Sequence, residues 1–105
     1  MEVRRLPEVE AELDLLTERE RNAIENAFEK LEIFGDRLPY PHSSHVAGSR
    51  NIRELRPRSG RSPWRAFYGR VGDDIVIAAI GPEARKDNVG FRRAVHLAEE
   101  RLDRF

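Results

Sequence analysis

Two kinds of hydrophobic spacing divide the chain. Behind Pro7, which suits a first helical position, Val9, Leu13 and Leu16 recur at helical intervals, and Glu8, Glu10, Glu12 and Asp14 load the early turns with negative charge. Thr17-Glu18-Arg19-Glu20 has the capping-box pattern, a hydroxyl at the cap and a carboxylate three residues on. Ile24, Ala27, Phe28 and Leu31 then form one stripe, which Gly35 ends. These residues predict an antiparallel helix pair, with a short strand over Arg4-Arg5-Leu6 ahead of it. Leu38 to Ser49, with Pro39, Pro41, Gly48 and three serines, reads as a connector with little regular structure. Beyond it the period changes to two. Residues 51–56, 64–71 and 75–80 predict three strands whose short links make an antiparallel meander. The unbroken run Ile75-Val76-Ile77-Ala78-Ala79-Ile80 predicts a central strand buried on both faces. After Gly81-Pro82, Phe91, Ala94, Val95, Ala98 and Leu102 mark a last amphipathic helix. The order β-α-α-β-β-β-α gives an α+β fold, expected as one domain over residues 1–105, its small, mainly antiparallel, twisted sheet packed against helices.

Composition narrows the class. A chain of 105 residues with 39% apolar and 36% charged positions supports one modest core. No apolar run reaches the roughly 18 residues of a membrane helix, and the segment Met1-Glu2-Val3-Arg4-Arg5 lacks the apolar stretch of a leader, so a cytoplasmic location without membrane contact is expected. The absence of cysteine excludes disulfides, thiolate metal sites and cysteine nucleophiles.

The net charge is zero, yet the charges are segregated. Residues 1–36 hold eleven acids against five bases, whereas residues 37–70 hold eight arginines and a lone acid, Glu54. Lys30 and Lys86 are the only lysines, so the basic side chains are almost all planar guanidinium forks suited to phosphate oxygens. In the strand 64–71, Trp64, Ala66 and Tyr68 point one way, and Arg65 and Phe67 the other. The preceding strand alternates less cleanly, which predicts a bulge near Glu54, and its pairing would bring Arg53 or Arg56 near Arg65. Such a cluster suits a bound polyanion, with Trp64 or Tyr68 available to stack on a base. For these two aromatics packing is the default reading, with Glu54 then neutralising an arginine across the strands. For Arg65 the default is function, because an arginine amid apolar neighbours is costly to desolvate.

His42 and His45 have an H-x-x-H spacing, but with no cysteine and only His96 besides, no metal or other cofactor is expected. His42 is instead a candidate proton-transfer group or substrate contact. The link 81–88 places Arg85 and Lys86 at the end of the central strand, where a phosphate could meet them, with Asp87 or Asn88 capping the last helix.

Taken together, Pro41-His42-Ser43-Ser44, Gly48-Ser49, Arg53-Glu54-Leu55-Arg56, Ser59-Gly60-Arg61 and Arg65-Ala66-Phe67-Tyr68 resemble the HigB-type, phage-derived (Gp49-like) branch of the RelE/ParE toxin superfamily. The resemblance covers nearly the whole chain and implies a RelE-like fold and the toxin of a type II toxin–antitoxin module. RelE and HigB relatives cleave messenger RNA on the ribosome without a metal, the RNA 2′-hydroxyl attacking its own 3′-phosphate; ParE relatives poison DNA gyrase. By that resemblance, Arg65 and Arg85 are expected to stabilise the phosphate, and Arg53, Arg56, Lys86, His42, Trp64 and Tyr68 to bind substrate. Glu54 is placed with the catalytic residues, although either Glu54 or His42 could take the proton. The implied partners are a cognate antitoxin and ribosome-bound messenger RNA, the free toxin being a monomer. Phe91 departs from the family pattern, standing where many RelE-like toxins carry a tyrosine, and it cannot transfer a proton. A gyrase inhibitor, or a non-catalytic RNA- or protein-binding relative, is the alternative.

Overall fold

The computed structural model describes residues 2–105. Strand β1 (Val3–Arg5) leads into helix α1 (Pro7–Leu13) and then α2 (Glu18–Phe34). Strands β2 (Ser43–His45), β3 (Arg53–Leu55), β4 (Trp64–Val71) and β5 (Asp74–Pro82) follow, and helix α3 (Asn88–Leu102) comes last. The sheet has the order β1-β5-β4-β3-β2, antiparallel throughout except for the parallel β1–β5 pair. The expected α+β class, mainly antiparallel sheet and sequential order are therefore present, with one strand more than the hydrophobic pattern gives.

That strand, β2, lies inside the stretch expected to be irregular. Its register, Ser43 opposite Leu55 and His45 opposite Arg53, uses backbone pairing that needs no β-forming side chains. The expected bulge is also displaced. Glu54 sits in regular register opposite Phe67, whereas Phe67 and Tyr68 face Ala79 and Ile77, leaving Ala78 as the extra residue in β5.

Local chemistry explains the helices. Thr17 Oγ1 accepts the Glu20 N–H at 3.3 Å, forming one half of the capping box, while the Glu20 carboxylate turns away to accept from Ser62 Oγ at 2.9 Å. Ile24, Ala27, Phe28 and Leu31 are buried as their spacing predicts. The helix pair is divided between strands: α1 packs on β5 and α2 on β4. On the opposite face α3 covers β4 and β5, where the rings of Phe67 and Phe91 meet edge to face at 5.3 Å. Residues 75–80 are all buried, as expected of a strand covered on both faces.

Beyond Arg5 no strand lies beside the outer edge of β5, and side chains replace one. The Glu12 carboxylate accepts the Ile80 N–H at 3.0 Å, Arg101 donates to the Ala78 carbonyl at 2.8 Å, and the two side chains pair at 2.9 Å. Buried ladder groups are thereby satisfied and the edge is blunted. Among the described residues, no helix is long and apolar enough to cross a membrane.

Close approach of α3 to β5 depends on Gly81, where an added Cβ would lie 2.4 Å from Ala94 Cβ. Gly81→Ala is expected to destabilise by about 1–3 kcal/mol in urea unfolding. Adding Ala94→Gly should recover part of that loss, so that the double variant is less destabilised than the sum of the single ones.

Candidate functional site

Antiparallel pairing brings several candidate residues to one end of the sheet. Ser43 faces Leu55, Leu55 faces Ala66, and Ala66 faces Ile80. The start of β2, the end of β3, the start of β4 and the end of β5 therefore coincide. His42, Glu54, Arg56, Trp64, Arg65, Arg85 and Lys86 gather at or just beyond this end, while Arg53 and Tyr68 form a pair further into the sheet.

Arg65 sits at the centre and is buried, with 3% of its side chain exposed. All its N–H donors are engaged. Nε reaches Glu54 Oε1 at 3.4 Å; Nη1 donates to the carbonyls of Ser62 at 2.6 Å and Trp64 at 3.0 Å; Nη2 donates to the Gly60 carbonyl at 3.3 Å and Glu83 Oε2 at 3.0 Å. Glu54 Oε1 also accepts from Arg56 Nη1 at 2.8 Å. Two guanidiniums and two carboxylates thus form a neutral, largely buried cluster, which satisfies the condition for taking these charges out of water. Burial of Arg65 is thus compensated within the fold. With no free donor and almost no exposure, Arg65 holds the surrounding loops instead of offering its fork to a phosphate.

The loop it holds, residues 57–63, is strained. Arg58 and Ser59 occupy the left-handed region at φ 56° and 58°, and Gly60 follows at φ 92°. For non-glycine residues this conformation costs roughly 1–2 kcal/mol each and persists only where the surroundings impose it. Three fixtures do so here: Arg65 on the Gly60 and Ser62 carbonyls, the buried Ser62 hydroxyl on Glu20, and the Arg56 guanidinium packed against Gly60. The outcome is an outward display of Arg58 and Arg61, both exposed.

A second basic turn lies beside the first. The Glu83 N–H donates to the Pro63 carbonyl at 2.8 Å, which with the Arg65–Glu83 pair places the turn carrying Arg85 and Lys86 next to loop 57–63. Both side chains are exposed, and Lys86 Nζ lies 5.9 Å from the Trp64 ring centroid. Asp87 caps α3 by accepting the Gly90 N–H at 2.9 Å.

The remaining candidates separate. Tyr68 is buried, its hydroxyl 2.5 Å from Ser43 Oγ, which also accepts from Arg53 Nε at 3.0 Å. Tyr68 is therefore a packing aromatic and cannot stack on a base. Trp64 stays half-buried at the basic end, and His42 lines a cleft with Arg56 and Arg58. Among the described residues, no group of three His, Asp or Glu side chains is placed to hold a metal. Sequence reading missed Glu83, Ser62 and Arg58. An acid in a charged loop and a serine between prolines carry no signal, and only the neighbouring Gly60 hinted at an unusual backbone.

A family model described as phage-derived protein, Gp49-like, matches residues 11–103. No curated protein matches the sequence significantly. Among solved structures, a mutant of the E. coli toxin RelE in the free state aligns with a TM-score of 0.61 at 12% identity, covering 90% of this chain and 94% of that one. The archaeal RelE–RelB complex from Pyrococcus horikoshii OT3 aligns with a TM-score of 0.57 at 19% identity, covering 80% and 96%. At these identities the likeness is one of architecture: the fold is RelE-like.

Arg65→Ala is expected to cost about 3–5 kcal/mol in urea unfolding, because it strands Glu83 and three carbonyls and leaves Glu54 with Arg56 alone. Arg65→Lys should cost less, since it keeps the charge but loses the fork. Arg85→Ala, on the exposed turn, should shift stability by no more than about 0.5 kcal/mol. An Arg65→Ala protein of wild-type stability would contradict the clamp.

Proposed function

The chain belongs to the phage-derived Gp49-like family, and from that premise we propose that it is the toxin of a type II toxin–antitoxin module. In this reading it acts as a HigB-type endoribonuclease on ribosome-bound messenger RNA. The observation that carries the reading is the pair of basic loops, Arg58 with Arg61 and Arg85 with Lys86, clamped side by side on a RelE-like frame. The reaction moves the 2′-hydroxyl proton to a base, forms the 2′-O–P bond, breaks the P–5′-O bond and returns a proton to the leaving oxygen. A 2′,3′-cyclic phosphate remains. Exposed Arg85, Lys86, Arg58 and Arg61 supply positive charge to the phosphate as its charge grows in the transition state. Arg65 is the positioning residue that keeps the two loops in register.

Glu54 is the base candidate. Its Oε1 is occupied by Arg56 and Arg65, while its Oε2 has no hydrogen-bond partner among the described residues. His42, half-buried beside Arg56, is a second candidate at this end. Arg53 contributes positive potential, Arg56 positions Glu54, Trp64 offers a half-exposed face, and no metal enters the scheme. The archaeal relative is a complex of RelE with RelB. By analogy, the partner of the present protein is a cognate antitoxin whose helical segment covers the basic region, the free toxin being a cytoplasmic monomer. A second reading, a gyrase-binding toxin without hydrolytic chemistry, is favoured by Phe91, whose hydroxyl-free ring packs on Phe67.

Induced expression in a bacterium, wild type beside Arg85→Glu/Lys86→Glu, with mapping of messenger RNA 5′ ends, separates these readings. Growth arrest with new ends inside translated frames, both lost in the variant, is the expected result. Arrest without new ends would replace it with the gyrase reading, and no arrest would leave a non-catalytic binding relative.

A further inference from the structure

Between α2 and β3 the surface opens into a cleft of about 230 Å³ that adjoins the proposed site and shares His42, Arg56 and Arg58 with it, while its α2 side has no part in the catalytic scheme. Its floor is small and apolar. Ala23 and Ala27, one turn apart on α2, lie there with Leu38 and Leu55, so that a flat ring can rest against them. Its rim is cationic: Lys30 comes from α2, Arg56 from the end of β3, and Arg58 from the strained loop. No carboxylate lines the cleft, and among the described residues neither Lys30 nor Arg58 enters an ion pair. Asn26 stands exposed at the mouth with an amide that makes no side-chain hydrogen bond among the described residues. An amide presents donor and acceptor together, which matches the edge of a nucleobase. The Arg56 guanidinium, 5.3 Å from the centroid of the exposed Tyr40 ring, extends this side of the cleft with further planar surface.

Resting on the RNA-directed reading above, we infer that this cleft is a binding pocket for one unstacked base of a single-stranded RNA, with Lys30 and Arg58 on the adjoining phosphate. Each part of the cleft suits one part of a nucleotide. The apolar floor meets the ring face, Asn26 the ring edge, and the two unpaired cations the phosphate, as in other single-strand sites that join a stacking platform to a basic groove. The volume admits one ring system and not a base pair. The strain at Arg58 acquires a purpose: the left-handed backbone brings a cation to a cleft whose other side is built from a helix.

The test is fluorescence anisotropy of a labelled single-stranded RNA octamer with the full chain, using Lys30→Glu and Asn26→Phe. Both positions are exposed on α2, and unchanged thermal unfolding verifies the fold. Each variant is expected to weaken the single strand by about tenfold or more, while the matched duplex binds weakly and does not respond to Asn26→Phe. Adenosine monophosphate as competitor identifies the source of the ligand. Displacement only at far higher concentration than unlabelled octamer supports an RNA strand, and equal potency supports a free nucleotide in the same pocket. Wild-type affinity in both variants overturns the inference, as does an equal response of single strand and duplex, or displacement by an acidic peptide but not by the nucleotide. Growth arrest in cells is read separately. Its absence in the wild type defeats the toxin reading, whereas retained octamer binding by both variants defeats only the pocket.

Discussion

Five hydrogen bonds from one buried guanidinium set the geometry of the basic end. Arg65 draws on β3 through Glu54, on the loop 57–63 through Gly60 and Ser62, on its own strand through Trp64, and on the segment after β5 through Glu83. A cation inside the fold is tolerable only because the acceptors are complete, and the acceptors sit where they do because the cation is there. Strain in the Arg58–Ser59 backbone and the parallel placement of the two basic turns both follow from that mutual dependence. At this end the charged groups thus divide into Arg56, Arg65, Glu54 and Glu83, which are paired and largely buried, and Arg58, Arg61, Arg85 and Lys86, which are exposed and enter no ion pair among the described residues.

A similar economy governs the far edge of the sheet. Where β1 stops, the Arg101–Glu12 pair supplies both a donor and an acceptor to β5 and ties α1 to α3. Short strands therefore suffice. Backbone groups that longer strands would satisfy are served by side chains reaching from helices packed on β5.

Much of the frame is legible in the chain because burial is periodic. The stripe from Ile24 to Leu31 could serve only one helix face, and the alternation from Trp64 to Tyr68 assigned Arg65 and Phe67 to one side, where Glu54 stands opposite Phe67. What escaped has a physical reason in each case. Ser43-Ser44-His45 forms a strand through backbone pairing and the Ser43 hydroxyl, so no hydrophobic pattern announces it. The extra residue at Ala78 is hidden in an all-apolar run, where a slip of one position leaves the pattern unchanged. At the site, the residue types are legible in the chain while their packing is not. Sequence identifies an arginine that is expensive to bury, but whether it is freed for a ligand or consumed by the fold depends on carbonyls and on Glu83, which come together only in three dimensions. Tyr68 illustrates the converse, a stacking candidate withdrawn into the core by Ser43.

The parallel pairing of β1 with β5 has a consequence for how the molecule is made. Val3 has Ile75 as its partner, so the first strand stays unpaired through most of synthesis, while α2 needs only local contacts to begin forming. Glu83 and α3 follow later still, and until they emerge Arg65 lacks its second carboxylate and Phe67 its cover. A product of interrupted translation that stops before them would hold the arginines without the frame that orders them. The assembled surface therefore requires segments from both ends of the described chain to be present together.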